Sequence, residues 1–181
     1  MAGRRLTGIT AERGLPPRLG AVVDGDGVHF SIVSRHADRM ELCLFEGGMT
    51  RENRRLVLPG RQGDVFFGFV PGLQAGALYG YRAYGPWEPA NGHRFDPSKL
   101  LVDPYAIALD RPYAYDPRLS APPDAAVDTA SLVPRAIVTE LPLDATPMPP
   151  GIPGFTYEVS VRGYSCLLYT SDAADDSLRG D

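Results

Sequence analysis

Apolar and polar residues alternate over short runs in the first half of the chain. Val28, Phe30 and Ile32 are separated by His29 and Ser31, and Met40, Leu42 and Leu44 by Glu41 and Cys43. A period of two puts successive side chains on opposite faces of an extended backbone, so both runs predict half-buried strands. Apolar runs at 19–23, 55–58, 65–70 and 78–84 add four more candidates. Turn formers separate them: Asp24-Gly25-Asp26-Gly27, Pro59-Gly60, Pro71-Gly72 and Gly85-Pro86. Asp-Gly between two apolar runs is a hairpin signal, because glycine accepts the positive φ that a tight turn requires. At least six short strands at near-regular spacing, with no convincing amphipathic helix among them, predict an all-β chain. The expected architecture is an antiparallel β-sandwich over residues 17–110.

The texture differs outside that span. Residues 1–16 are polar and predict a flexible lead-in. Asp96 followed by Pro97 is placed to cap one short helical turn within 97–104. Residues 111–154 are proline-rich and aperiodic, as in RPYAYDPRLSAPPDAAVD, and predict an irregular linker or a packed loop. Residues 155–165, FTYEVSVRGYS, read as one further strand. Residues 166–181 break abruptly from what precedes them, and 166–175, CLLYTSDAAD, are what one frame of a transposon-based sequencing adapter encodes. The expectation is that this tail is an artefact and that the native polypeptide is cut near Ser165.

Composition narrows the function classes. Of 181 residues, 44% are hydrophobic and 22% charged, ordinary values for a globular protein. A net charge of −4 with no basic cluster argues against a nucleic-acid partner. Most of that acidity lies in the tail, which holds Asp172, Asp175, Asp176 and Asp181 against Arg179 alone. Lys99 is the sole lysine; the basic residues are otherwise arginine. No apolar run approaches the length of a membrane span, so no membrane partner is expected. Cys43 and Cys166 are too few and too far apart for a disulfide framework or a metal site. The cytoplasm is the expected compartment, with no cofactor and no metal.

Candidate catalytic groups are sparse. Asp24, Asp26, Asp64, Asp96 and Asp103 each stand beside Gly or Pro, where aspartate has a local role in turn formation. His29, His36 and His93 have no associated serine motif, and Glu158 lies on the strand predicted at 155–165. His93, Arg94 and Asp96 read as a hydrogen-bonded structural corner.

The segment 79–106, YGYRAYGPWEPANGHRFDPSKLLVDPYA, closely resembles the signature that ends the N-terminal domain of bacterial glycogen-debranching enzymes and isoamylases, members of the α-amylase superfamily (glycoside hydrolase family 13). The resemblance extends over most of 16–165. PPRLGAVVDGDGVHFSIVSRHADRMELCLFE is similar to that family's first strands, and YEVSVRGYS to the first strand of its catalytic (β/α)8 barrel. It implies an immunoglobulin-like sandwich of the family 48 carbohydrate-binding type, followed by the start of a truncated barrel. Three positions depart from the family's usual residues: Ser160 and Tyr84 stand where His is common, and Asp96 where Asn is usual.

The implied activity of the intact parent is hydrolysis of α-1,6-glucosidic branch linkages in glycogen or limit dextrin. Retaining hydrolysis needs a carboxylate nucleophile and a carboxylic acid about 5 Å apart across the bond. The resemblance puts both on later barrel strands, beyond the barrel strand seen here, so the chain as given is expected to be non-catalytic. Its implied partners are branched α-glucan and the missing catalytic barrel. The remaining chemistry is carbohydrate binding, for which sugar C–H faces call for exposed aromatic rings with polar neighbours. Trp87, the sole tryptophan, and Tyr84 are the candidate binding residues. The alternatives are that they pack between the sandwich and the missing barrel, and that the chain is a stand-alone glucan-binding or regulatory module.

Overall fold

The computed structural model describes residues 8–16, 18–46 and 50–140. The strand predicted at 155–165, including Glu158 and Ser160, and the adapter-like tail with Cys166 lie outside the described residues.

Eleven strands are present among the described residues, and every pairing is antiparallel. One sheet contains β1 (Gly20–Asp24), β2 (Gly27–Val33), β5 (Gly60–Gln62) and β6 (Val65–Pro71), in the order β1-β2-β6-β5. The second contains β3 (Arg39–Phe45), β4 (Arg54–Val57), β7 (Leu78–Tyr84), β10 (Ala108–Leu109) and β11 (Ala136–Ile137), in the order β10-β11-β7-β3-β4. A two-stranded hairpin joins β8 (Trp87–Glu88) to β9 (His93–Arg94). The fold is therefore all-β and antiparallel, as the alternation predicts. β1 and β2 close on a two-residue loop whose first residue, Gly25, has φ 57°, the conformation glycine was expected to supply.

Val28, Phe30 and Ile32 of β2 face Met40, Leu42 and Leu44 of β3 in one apolar core, joined by Phe66, Val70, Tyr79 and Tyr81. Burial of this kind, at roughly 25 cal/mol per Å² of apolar surface, is the main force holding the two sheets together. The strands differ from expectation in one respect: β2 and β3 are buried on both faces. On the far face of β2 the His29 ring packs on Phe69 with centres 4.8 Å apart, the Arg13 guanidinium lies 3.9 Å from the centre of the same Phe69 ring, and the Ser31 hydroxyl donates to the Arg18 carbonyl. Thr10 exchanges backbone hydrogen bonds with Phe69 at 2.9 and 2.7 Å, and Ile9 fills the space over Gly68, where any Cβ would clash with it. Residues 9–13 are thus built onto the sheet, where the sequence had read a flexible lead-in.

Cys43 and Phe45, on the outer face of β3, are covered in turn by Leu100, Ala130 and Val133. Residues 111–135 are irregular apart from short 3-10 turns, yet Ala136 and Ile137 add an inner strand between β7 and β10. The stretch read as linker is therefore in part a component of the sandwich. Its apolar residues are spaced for burial under a loop rather than on a repeating face, which leaves no periodicity to read. The helical turn expected after Asp96 is a single turn: Asp96 Oδ1 accepts from the Ser98 N–H at 2.9 Å and the Lys99 N–H returns to the Asp96 carbonyl at 3.0 Å.

Candidate functional site

The 79–106 signature folds into β7, the β8–β9 hairpin and the turn at 96–99. Gly85 lets the hairpin leave β7, because a side chain there would meet the Phe95 ring at 2.8 Å and the His36 carbonyl at 3.0 Å. Phe95 packs against the core and holds the hairpin base. From beneath, the wholly buried Arg82 donates to the carbonyls of Pro97 and Ser98 at 2.9 and 2.8 Å. The Leu100 N–H donates to Thr129 Oγ1 at 2.9 Å, and Tyr81 and Leu101 exchange backbone hydrogen bonds. The hairpin therefore sits on a fixed floor.

Trp87 is 45% exposed on this hairpin, opposite Arg94 in register. It lines a cleft of about 450 Å³ with Pro89, Arg94, Asp96 and Lys99, closed on the far side by Leu119–Pro122. That wall follows the 3-10 turn Pro117–Ser120, which Asp116 caps through the Arg118 N–H at 2.9 Å. Hydrogen bonds from the Arg118 side chain and backbone hold the Asp116 carboxyl down at about 2, so the wall carries a fixed ion pair. On the other side of the hairpin a second cleft, of about 420 Å³, is lined by His36, His93, Arg94, Asp96 and Lys99 together with Met40 and Phe95.

Of the two aromatic candidates, only Trp87 is an open platform. The Tyr84 hydroxyl donates to Glu41 Oε2 at 2.9 Å, and the Arg39 guanidinium lies 3.7 Å from its ring centre. Tyr84 lines neither cleft, and among the described residues no ring contact joins it to Trp87.

The corner expected from His93, Arg94 and Asp96 is only partly hydrogen-bonded. Asp96 closes its turn and His93 packs on His36 with ring centres 4.5 Å apart. Arg94 is exposed and has no hydrogen-bond or ion-pair partner among the described residues. Its neighbours along the chain had suggested a bonded corner, but strand alternation turns it toward the clefts instead. Lys99, noted in the sequence only as the sole lysine, lines both clefts.

The other turn acids are engaged locally. Asp24 and Asp26 pair with Arg13, and Asp64 with Arg35. Asp103 accepts from the Tyr105 N–H at 2.8 Å, as a turn aspartate would, and also from the buried Tyr79 hydroxyl at 2.7 Å. Burial raises its carboxyl above the ordinary range, and those two hydrogen bonds offset part of the rise. His29 Nε2 lies 3.1 Å from Asp24 Oδ2, but the nearby Ser31 hydroxyl donates to the Arg18 carbonyl. Among the described residues no group of three metal-ligating side chains comes together. The arrangement around Trp87 suits reversible binding of a ligand with an apolar face and many hydroxyls: an indole platform, a carboxylate and two cations.

Several solved structures are similar to part of this chain at low identity. The pullulanase from Bacillus acidopullulyticus is 17% identical over 70% of this chain and 12% of its own, with a TM-score of 0.44. The pullulanase from Paenibacillus barengoltzii, in complex with maltohexaose and α-cyclodextrin, is 23% identical over 51% of this chain and 13% of its own, at 0.40. A product complex of the multi-modular glycogen-degrading pneumococcal virulence factor SpuA is 17% identical over 69% and 12%, at 0.48. This chain thus spans 12–13% of the length of these three. Residues 18–106, which hold β1 to β9 and Trp87, match the model of carbohydrate-binding module 48, the isoamylase N-terminal domain. The sandwich is similar to a domain of that type.

Proposed function

We propose that this chain is the N-terminal portion of a glycogen-debranching enzyme of the isoamylase type, and that its sandwich holds α-glucan through Trp87. The intact parent would hydrolyse α-1,6-glucosidic branch linkages in glycogen or limit dextrin. On this reading the chain itself binds and does not hydrolyse, the resemblance putting the carboxylates that such chemistry requires on later barrel strands. The observation that carries the reading is the carbohydrate-binding module match over 18–106. Support comes from the exposure of Trp87 beside a cleft lined by Arg94, Asp96 and Lys99, since an indole left in water on a fixed hairpin is suited to stack on a sugar face. Tyr84, half-buried beneath Arg39, contributes at most at the edge of such a site.

The test is affinity electrophoresis of the full chain in gels containing glycogen. The wild type should be retarded, and Trp87→Ala should lose most of that retardation with its melting temperature unchanged. Absence of retardation in the wild type would overturn glucan binding. Release of reducing sugar from branched glucan by the chain alone would overturn the non-catalytic assignment.

A further inference from the structure

We infer that Asp96 and Lys99 form a hydroxyl-reading pair in the cleft beside Trp87, and that together they bind one glucosyl unit of an α-glucan chain. The inference rests on the reading of the sandwich as a glucan-binding module and says which groups give that binding its polar recognition.

The turn at 96–99 needs only one oxygen from the Asp96 side chain. Oδ1 supplies it by accepting from the Ser98 N–H, a task asparagine performs equally well. The second oxygen is surplus to the turn. Oδ2 is buried in a side chain only 6% exposed, and it accepts no hydrogen bond among the described residues. A buried carboxylate oxygen without a donor is costly, and such groups are ordinarily satisfied. The nearest cation, Lys99 Nζ, stands 3.9 Å away, too far for a hydrogen bond.

That gap matches a bridging hydroxyl. One oxygen about 2.8 Å from each atom, accepting from the ammonium and donating to the carboxylate, subtends an angle of about 90° at the oxygen. Lys99 Nζ is also loosely held: among the described residues its only other polar contact is a 3.5 Å approach to the Arg118 carbonyl on the opposite wall. The ammonium therefore lies across Asp96 as a loosely held cover that a ligand hydroxyl can displace and then rejoin.

The surroundings select the ligand class. Trp87 offers an apolar face on one wall of the same cleft, and Arg94 an uncommitted donor at its rim. A volume of about 450 Å³ is within the range of small-ligand sites. A phosphate would be repelled by Asp96, and a hydrocarbon would strand both charges. A glucosyl ring has the apolar face and the hydroxyl edge that the two walls require.

Because Lys99 is the only lysine, amine acylation reports on it directly. The full chain would be treated with an N-hydroxysuccinimide acetate reagent, with and without saturating maltoheptaose, and modification mapped by mass spectrometry. Lys99 should be acylated several-fold more slowly with the sugar, while the N-terminal amine is unaffected. In calorimetric titrations Asp96→Asn, which keeps the turn, should bind maltoheptaose about tenfold more weakly at an unchanged melting temperature. Wild-type affinity in Asp96→Asn and no protection of Lys99, alongside weakened binding by Trp87→Ala, would overturn the pair and leave the platform standing. No binding by the wild type would overturn both.

Discussion

Arg82 grips Glu52 with two parallel hydrogen bonds, Nε to Oε1 at 3.1 Å and Nη2 to Oε2 at 3.2 Å, across thirty residues of sequence. The same guanidinium donates to Asp128 Oδ1 at 2.8 Å and to the carbonyls of Pro97 and Ser98. One buried cation on β7 thus ties together the loop before β4, the floor of the candidate site and the segment leading to β11. Removing it would take one donor from each of two carboxylates and two carbonyls. Arg82→Met should therefore destabilise the chain by about 3–5 kcal/mol, the usual cost of breaking a buried ion pair from one side. Urea unfolding checks this, and a loss below 1 kcal/mol would contradict it.

Acid should unfold the protein through the partners of these arginines. Burial works to raise the Glu52, Asp110 and Asp128 carboxyls, but hydrogen bonds outweigh it: from the Glu52 backbone, Arg82 and Arg55 for Glu52, from Arg135 for Asp110, and from Arg82 and the Ala130 N–H for Asp128. All three are held below their ordinary values of 4.5, 3.8 and 3.8. A depressed folded-state value stabilises the fold above the ordinary one, and that contribution is lost as pH falls through the folded one. The melting temperature should fall steeply below pH 4.5, and Glu52→Gln should flatten that limb. Asp103, raised by burial, works in the opposite direction, so Asp103→Asn should not flatten it.

Gly85→Ala should weaken glycogen binding without touching Trp87. The added methyl would press on the Phe95 ring and the His36 carbonyl, forcing the hairpin away from β7. Overpacking of this kind costs about 1–3 kcal/mol. Paired melting curves and glycogen-affinity gels measure both effects, and wild-type behaviour in the two would show that the hairpin is not seated as described.

Cys43 should be chemically silent in the folded state. Burial, helped by the charge of Glu52, pushes its thiol up to about 12, and the residue is enclosed by Phe45, Leu100, Ala130 and Val133. Since the thiolate is the reactive form, iodoacetamide should modify Cys43 only as the protein unfolds. Peptide mapping in increasing urea would show labelling that tracks the unfolding curve. Labelling at the rate of a free thiol in buffer would contradict the packing.

The six main strands were legible because their signals are local. Val28, Phe30 and Ile32 alternate with polar residues, and Gly25 can take the positive φ of the turn that follows β1. β5, β8, β9, β10 and β11 have two or three residues each, too short for any period to register. The pairing of β10 and β11 also comes from neighbours distant in sequence, as when Ala136 meets Tyr79. Trp87 was legible as a candidate because a lone tryptophan in a turn-rich motif stands out. Lys99 was not, since nothing local distinguishes a cation over a cleft from a solvated one.

The sequence by itself determined the class of fold, the turn positions and the family signature, all of which follow from alternation, glycine and proline chemistry and residue order. Only the tertiary structure decided which surfaces stay open. It packed Arg13 over Phe69 beside the outer face of β2 and Val133 over that of β3, covered Tyr84 with Arg39, and left Trp87, Arg94 and Lys99 around one cleft. The reason is that coverage depends on chain segments brought together from afar, and no short-range pattern encodes where they will lie.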